Sequence, residues 1–286
     1  DRFTAIVGAR HALRDPQEQA RYLKEWRDLW VGRTPLVLRP GSTAEVAAIV
    51  ALAHATGTAI VPQSGNTGLA GAQIPFGHEI LLSLERLDRI RAVDPDGNTL
   101  IAESGVTLAA VKQRAEAADR LFPLSLASEG SCRIGGNLST NAGGVQVLAY
   151  GNARDLVLGL EVVLADGRVW DGLRALRKDN TGYDLKSLFM GSEGTLGIIT
   201  AAVLKLFPRP REHATAFVGL PSVEAVRDLF LAARASSGPA LTAFEMLPAL
   251  AILFLFLAYP LGLGIWLSFT DARIGRPGVF IGLENY

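Results

Sequence analysis

Glycine in this 286-residue chain is concentrated in three short clusters, shared with serine, threonine and asparagine. The first runs from Pro62 to Gly71 (PQSGNTGLAG), the second from Gly130 to Gly144 (GSCRIGGNLSTNAGG), and the third from Gly191 to Thr200 (GSEGTLGIIT). Such stretches are too rich in Gly, Ser, Thr and Asn to continue as core helices. Their glycines permit positive φ and let successive N–H groups converge on an anion. No Lys or Arg occurs between Pro62 and Gly71, so a diphosphate there would be held by backbone dipoles with the Asn66 amide and Thr67 hydroxyl. In the second cluster, small side chains would let a flat ring lie against the backbone, with Asn137, Thr140 and Asn141 at its edge. Taken singly, an ordinary turn and a surface loop are the plain alternatives.

The segments between the clusters read as mixed α and β. Leu36 to Leu38 is a short strand, and Ser42 with Glu45 has capping-box spacing. Val46, Ile49, Val50 and Ala53 repeat at helical spacing up to Gly57, and Ala59 to Val61 follow as a strand leading into the first cluster. Asp166-Gly167 suits a hairpin turn between Leu156–Leu164 and Arg168–Trp170, and Leu196 to Phe207 is β-rich. From Thr215 the chain reads as a strand and then a helix near Ser222 to Ala235, the opening of a second α+β domain.

Composition excludes several classes. Lys and Arg balance Asp and Glu, for a net charge of +0, so no field favours nucleic acid. Cys132 is the only cysteine, which rules out an internal disulfide or a cysteine metal cluster, fits a reducing compartment and favours a cytoplasmic location. His11, His54, His78 and His213 lack metal-ligand spacing, so no metal site is expected. Neither GxGxxG nor GxxxxGK[ST] occurs, and Met190 takes the place of the first glycine of a GxSxG elbow.

Leu247 to Phe269 carries no charge. At about 1.5 Å per residue, such a run can cross a hydrocarbon core of about 30 Å. A transmembrane helix is expected there, with Tyr259 and Trp266 as interface anchors and Pro260 as a kink. If that segment is continuous with the rest, the chain belongs at an inner membrane.

In their order, VPQSGNTGLAG, GSCRIGGNLSTNAGG, GLEVVLADG and LRKDNTGYDLKSLFMGSEGTLGIIT resemble the FAD-linked D-2-hydroxyacid dehydrogenases, of the D-lactate and D-2-hydroxyglutarate type. The resemblance covers about 35–246. It implies an α+β fold of the vanillyl-alcohol oxidase type, with a two-subdomain FAD-binding domain at 35–210 after a helical lead-in at 1–34. The truncated start of a cap domain would then occupy 211–246. Residues 247–286 instead resemble the first span and following tail of a sugar ABC-transporter permease, as in WLSFTDARIG and FIGLENY, so the text reads as a chimera.

The implied cofactor is FAD. By resemblance, Gln63, Ser64, Gly65, Asn66, Thr67 and Gly68 would wrap its diphosphate. Ser128, Gly130, Ser131, Ile134, Gly135, Gly136, Asn137, Thr140, Asn141, Ala142 and Gly144 would line the flavin and ribityl chain, and Glu193, Gly194 and Ile198 would meet the nucleotide end. Ser64 stands where the family usually has Gly, and Ser125 where many members have Asp. Asn66 stands where covalently flavinylated relatives have His, so the FAD is expected to be noncovalent. The implied substrate is a small D-2-hydroxy acid that gives hydride to flavin N5, with electrons passing on to an unspecified acceptor. The catalytic base and the substrate-binding cations are expected in cap and C-terminal segments, so this chain alone is expected to bind FAD without turnover.

Overall fold

A computed structural model describes residues 1–247 and 259–268. They fall into two units, Asp1–Val218 with Ser237–Ala243, and Gly219–Ser236 with the described part of Phe244–Tyr286.

The first unit opens with α1 (Arg2–Val7), β1 (Ala12–Leu13), α2 (Pro16–Gln19) and β2 (Val37–Leu38), followed by α3 (Thr43–Thr56), β3 (Ile60–Gln63) and β4 (Ile80–Ser83). The sheet order is β1-β2-β4-β3, parallel except for β1 at one edge. The N-terminal lead-in is thus more than helical, because Ala12 and Leu13 pair with Leu38 and Val37.

The limits of α3 follow from its termini. Ser42 Oγ accepts from Glu45 N at 3.2 Å, and Glu45 Oε2 accepts from Gly41 N at 2.8 Å, so one unpaired N–H of the first turn and the N–H just before the cap are both satisfied. Gly57, at φ 64°, ends the helix with a left-handed cap.

The second sheet contains β5 (Ile90–Asp94), β6 (Thr99–Glu103), β8 (Val157–Leu164), β9 (Val169–Gly172) and β10 (Gly197–Lys205). Its order is β5-β6-β10-β8-β9, antiparallel throughout. On one side it packs with α4 (Leu108–Glu116) and α5 (Ile134–Ser139) in a core that includes Leu100, Val111, Phe122, Ile134, Leu160 and Ala202. In a second cluster, Val163 and Ile198 join Val46, Ile49 and Val50 of α3 with Leu38 and Leu82 of the first sheet. Helix α3 is therefore packed between the two sheets, and each fully buried aliphatic side chain there contributes roughly 1.5–3 kcal/mol. The Asp166-Gly167 turn sits on α3. A Cβ on Gly167 would lie 2.6 Å from Ala51 Cβ, and its φ is 87°, so this turn needs glycine for space as well as for conformation.

Short elements complete the unit: β7 (Arg120–Leu121) pairs with β11 (Phe207–Pro208), and α6 (Val147–Tyr150) and α7 (Leu185–Phe189) lie in the connections. In the other unit, α8 (Val223–Ser237) follows a Ser222 cap, and Phe230 meets Phe244 edge-on at 5.1 Å. The strand expected from Thr215 does not form. Among the described residues it has no neighbouring strand to receive its backbone groups, and an unpaired strand has nothing to hold it extended.

The expected membrane span at 247–269 and the permease-like tail lie outside the described residues, apart from Leu247 and α9 (Tyr259–Ser268). Among the described residues, no helix is long and apolar enough to cross a membrane.

Candidate cofactor site

The three glycine clusters meet within the first unit. A Cβ on Gly65 would lie 2.7 Å from Ser131 O and 3.0 Å from Arg133 N, and a Cβ on Gly136 would lie 3.3 Å from Ser64 Cβ. The first two clusters therefore touch backbone to backbone. The third joins through Gly191 N to Leu138 O at 3.2 Å and Glu193 N to Ser139 O at 3.0 Å. Gly194 packs on Pro62, with 2.5 Å between a built Cβ and the proline ring.

A cavity of about 260 Å³ opens where they meet. Of the residues expected from sequence, Gln63, Ser64, Gly65, Asn66, Thr67, Gly68, Ser128, Gly136, Asn137, Thr140, Ala142 and Glu193 line it. Gly194 and Ile198 instead line an adjoining cavity of about 370 Å³ beside α3, and Pro62 borders both.

The remaining expected residues line neither cavity. Ile134 is buried in the core, and Gly135 lies against Ser104, where a Cβ would approach to 2.6 Å. Asn141 Oδ1 accepts from Arg154 N at 2.9 Å, and Gly144, at φ 80°, packs on Ser125 O. Ser131 supplies the carbonyl beneath Gly65, while Gly130 has open space around it. The second cluster also holds the six-residue helix α5, which the glycine content had argued against. Gly135 and Gly136 allow that helix to lie close to Ser104 and Ser64, so packing outweighs propensity here.

Sequence reasoning missed Gln73, Leu84, Leu126, Arg133 and Ser139, which also line the first cavity. The guanidinium of Arg133 donates to Glu85 O and Gly105 O. Only an arginine inside a glycine-rich stretch hinted at this role.

Among the described residues, nothing accepts a hydrogen bond from any backbone N–H between Gly65 and Gly71. Asn66 is left-handed, at φ 52°, and its buried Oδ1 has no partner. This donor set fits a diphosphate, and the orphan acceptor fits a hydroxyl of a sugar or ribityl chain. Cys132 is buried, 3.6 Å from Asn137 Nδ2, and packs with the core.

The larger cleft, about 490 Å³, lies elsewhere, lined in part by Trp170, Tyr183, Lys186 and Lys205. Its Arg174 pairs with Asp179 and its Lys186 with Asp184. Size alone does not favour it, because none of the three glycine clusters contributes to its lining.

Beside the first cluster, Tyr22 OH donates to Glu85 Oε1 at 2.6 Å, and Arg21 and Arg39 also reach that carboxylate. Burial, and then the Glu85 carboxylate, push the Tyr22 phenol up from 10.0 to about 12. A raised phenol holds stability that is complete below the unfolded value and lost as pH rises through the folded one. Alkaline titration of tyrosinate absorbance should therefore show one of the five tyrosines ionising last, and Tyr22→Phe should remove that late phase. A late phase that persists in Tyr22→Phe would assign it to another tyrosine.

Residues 34–172 match the family described as FAD binding domain. The chain is 44% identical over 237 residues to the mitochondrial D-2-hydroxyglutarate dehydrogenase of Bos taurus, covering 83% of this chain and 44% of that protein. It is 40% identical over 232 residues to a D-2-hydroxyglutarate–pyruvate transhydrogenase of Saccharomyces cerevisiae, covering 81% and 47%. The chain thus spans about half the length of these relatives. Among solved structures, an alkyldihydroxyacetonephosphate synthase superposes with TM-score 0.65 at 25% identity, over 73% of this chain and 40% of that one. The chain therefore carries an FAD-binding domain in a fold of the vanillyl-alcohol oxidase type and is similar in sequence to D-2-hydroxyglutarate dehydrogenases over about half of their length.

Proposed function

We propose that this chain is the FAD-holding part of a dehydrogenase that oxidises a small D-2-hydroxy acid, of the lactate or 2-hydroxyglutarate type, to the 2-oxo acid. The observation that carries this reading is the convergence of the glycine clusters on one cavity beside a row of unengaged N–H groups. Bound FAD supplies a hydride acceptor at its N5 position. Backbone N–H groups from Gly65 to Gly71 hold the diphosphate. Ser128, Gly136, Asn137, Thr140 and Ala142 border the flavin and ribityl chain, and Glu193, Gly194 and Ile198 serve the nucleotide end. Ser131, Ile134, Gly135, Asn141 and Gly144 support this lining, while Gly130 stands in open space beside it.

Arg133 and Glu193 are the ionisable residues lining the first cavity. Arg133 is engaged by two carbonyls, so among the described residues neither a histidine base nor an unengaged cation for a carboxylate lines this cavity. Removal of the hydroxyl proton and capture of the substrate carboxylate fall to groups beyond this lining.

The test is titration of flavin-free chain with FAD, then acid denaturation, then anaerobic addition of D-2-hydroxyglutarate or D-lactate to the reconstituted chain. Saturable FAD binding, flavin released into the acid supernatant, and no bleaching by either acid are expected. Failure to bind FAD would overturn the reading. Flavin left on the acid-denatured protein would overturn noncovalent attachment, and bleaching would place the base within this chain.

A further inference from the structure

Among the described residues the backbone N–H groups from Gly65 to Gly71 donate to nothing, yet a diphosphate cradle needs them held in fixed directions. Its order comes from a segment well upstream in sequence. Gln63 Nε2 donates to Tyr22 O at 2.8 Å, and Asn66 Nδ2 to Arg21 O at 3.2 Å and Lys24 O at 2.9 Å. Arg27 donates to Leu69 O, and the Trp30 ring covers Gly71, so closely that a Cβ there would lie 2.8 Å from it. At Gly32 the two backbones are nearly in contact, with 2.2 Å from a built Cβ to Pro75 O, and Arg33 N donates to that oxygen at 3.0 Å.

The segment is itself rigidly closed. Gly32 N donates to Leu23 O at 2.7 Å, and the fully buried Glu25 carboxylate accepts from Arg27 N and Leu29 N, each at 2.8 Å. Burial opposes ionisation of Glu25, but these backbone donors and Arg27 outweigh it and hold the carboxyl below its usual range. At the base of the segment, Tyr22 OH is tied to Glu85.

We propose that residues 21–33 act as a strap that fixes the shape of the first glycine cluster and so sets the affinity for the diphosphate half of FAD. The inference rests on the FAD reading above. The strap lies outside the 34–172 family match, and it changes the role of two expected ligands. Gln63 and Asn66 act through the strap, as positioning residues, with their amide N–H groups committed to it. A cradle ordered before binding avoids the cost of ordering it on binding, and fixing one residue's backbone costs roughly 1–2 kcal/mol.

The experiment measures the FAD dissociation constant of full-length wild type, Trp30→Ala, Trp30→Phe, Arg27→Ala and Leu206→Ala. Leu206 is a buried core residue away from the strap, so Leu206→Ala reports the effect of general destabilisation. Trp30→Ala is expected to weaken FAD by about tenfold and Arg27→Ala by about threefold, with Trp30→Phe within about twofold of wild type. Leu206→Ala should lower the melting temperature and leave FAD affinity near wild type. Unchanged affinity in Trp30→Ala, or equal weakening by Leu206→Ala, would overturn the strap. Absence of FAD binding in wild type would mark instead the failure of the underlying cofactor reading.

Discussion

Gly65→Ala is expected to abolish retention of FAD through purification and to raise its dissociation constant by about a hundredfold or more, reflecting both strain and a displaced cradle. The added methyl would lie 2.7 Å from Ser131 O, 3.0 Å from Arg133 N and 3.0 Å from Cys132 Cα. All three are backbone atoms, so no side-chain rotation relieves the clash, and the first two clusters must separate. Gly130→Ala is the matching control, since nothing lies within 4 Å of a Cβ there. It should bind FAD as wild type does. Fluorescence titration of both variants checks the pair, and wild-type affinity in Gly65→Ala would show that the clusters do not depend on this contact.

That contrast marks how far the sequence was readable. Both glycines stand in clusters whose composition announced backbone-lined loops, and nothing local separates them. Their difference lies in what arrives from elsewhere in the chain: Ser131 and Arg133 beneath Gly65, and open space at Gly130. Local chemistry was legible wherever it acts at short range, as at the Ser42 and Glu45 cap, the Gly57 terminus and the Asp166-Gly167 turn. The strap was not legible. Its bonds to the first cluster run through the carbonyls of Arg21, Tyr22 and Lys24, and every residue type has a carbonyl. Trp26 and Leu29 are 71% and 67% exposed, so the apolar character of these side chains does not locate the segment either. Ile198 shows the same limit. The resemblance gave it to the nucleotide end, and the structure also makes it part of the core against α3.

The largest expected loss of stability is at Glu103, which the sequence gave no reason to single out. It lies on β6, is 1% exposed, and receives Arg89 at 2.8 Å and Arg91 at 3.1 Å. Arg91 continues to Glu161 at 3.0 Å, and Glu161 accepts from Thr43 Oγ1 at 2.7 Å and from Thr200 Oγ1 at 2.8 Å. The network thus ties four strands of the second sheet to the first turn of α3, the helix that both sheets share. Glu103→Ala should cost about 3 kcal/mol, the low end of the range for breaking a buried pair, because Arg89 is largely exposed and can regain water. Glu103→Gln should cost less, since it keeps an acceptor for Arg89 but loses the charge.

The same residues set the acid limit of the fold. Burial opposes ionisation of Glu103 and Glu161, but hydrogen bonds from Arg89 and Arg91, with Thr43 and Thr200 at Glu161, outweigh it and lower both carboxyls. A carboxyl lowered in the folded state contributes stability that is present above the unfolded value, about 4.3, and lost as pH falls through the folded one. Denaturant midpoints measured from pH 7 down to pH 3 should fall steeply for wild type below about pH 4.3 and less steeply for Glu103→Gln. Parallel curves for the two proteins would remove Glu103 from the acid transition. A midpoint for Glu103→Ala equal to wild type at pH 7 would show that the second sheet is held to α3 by its apolar face alone.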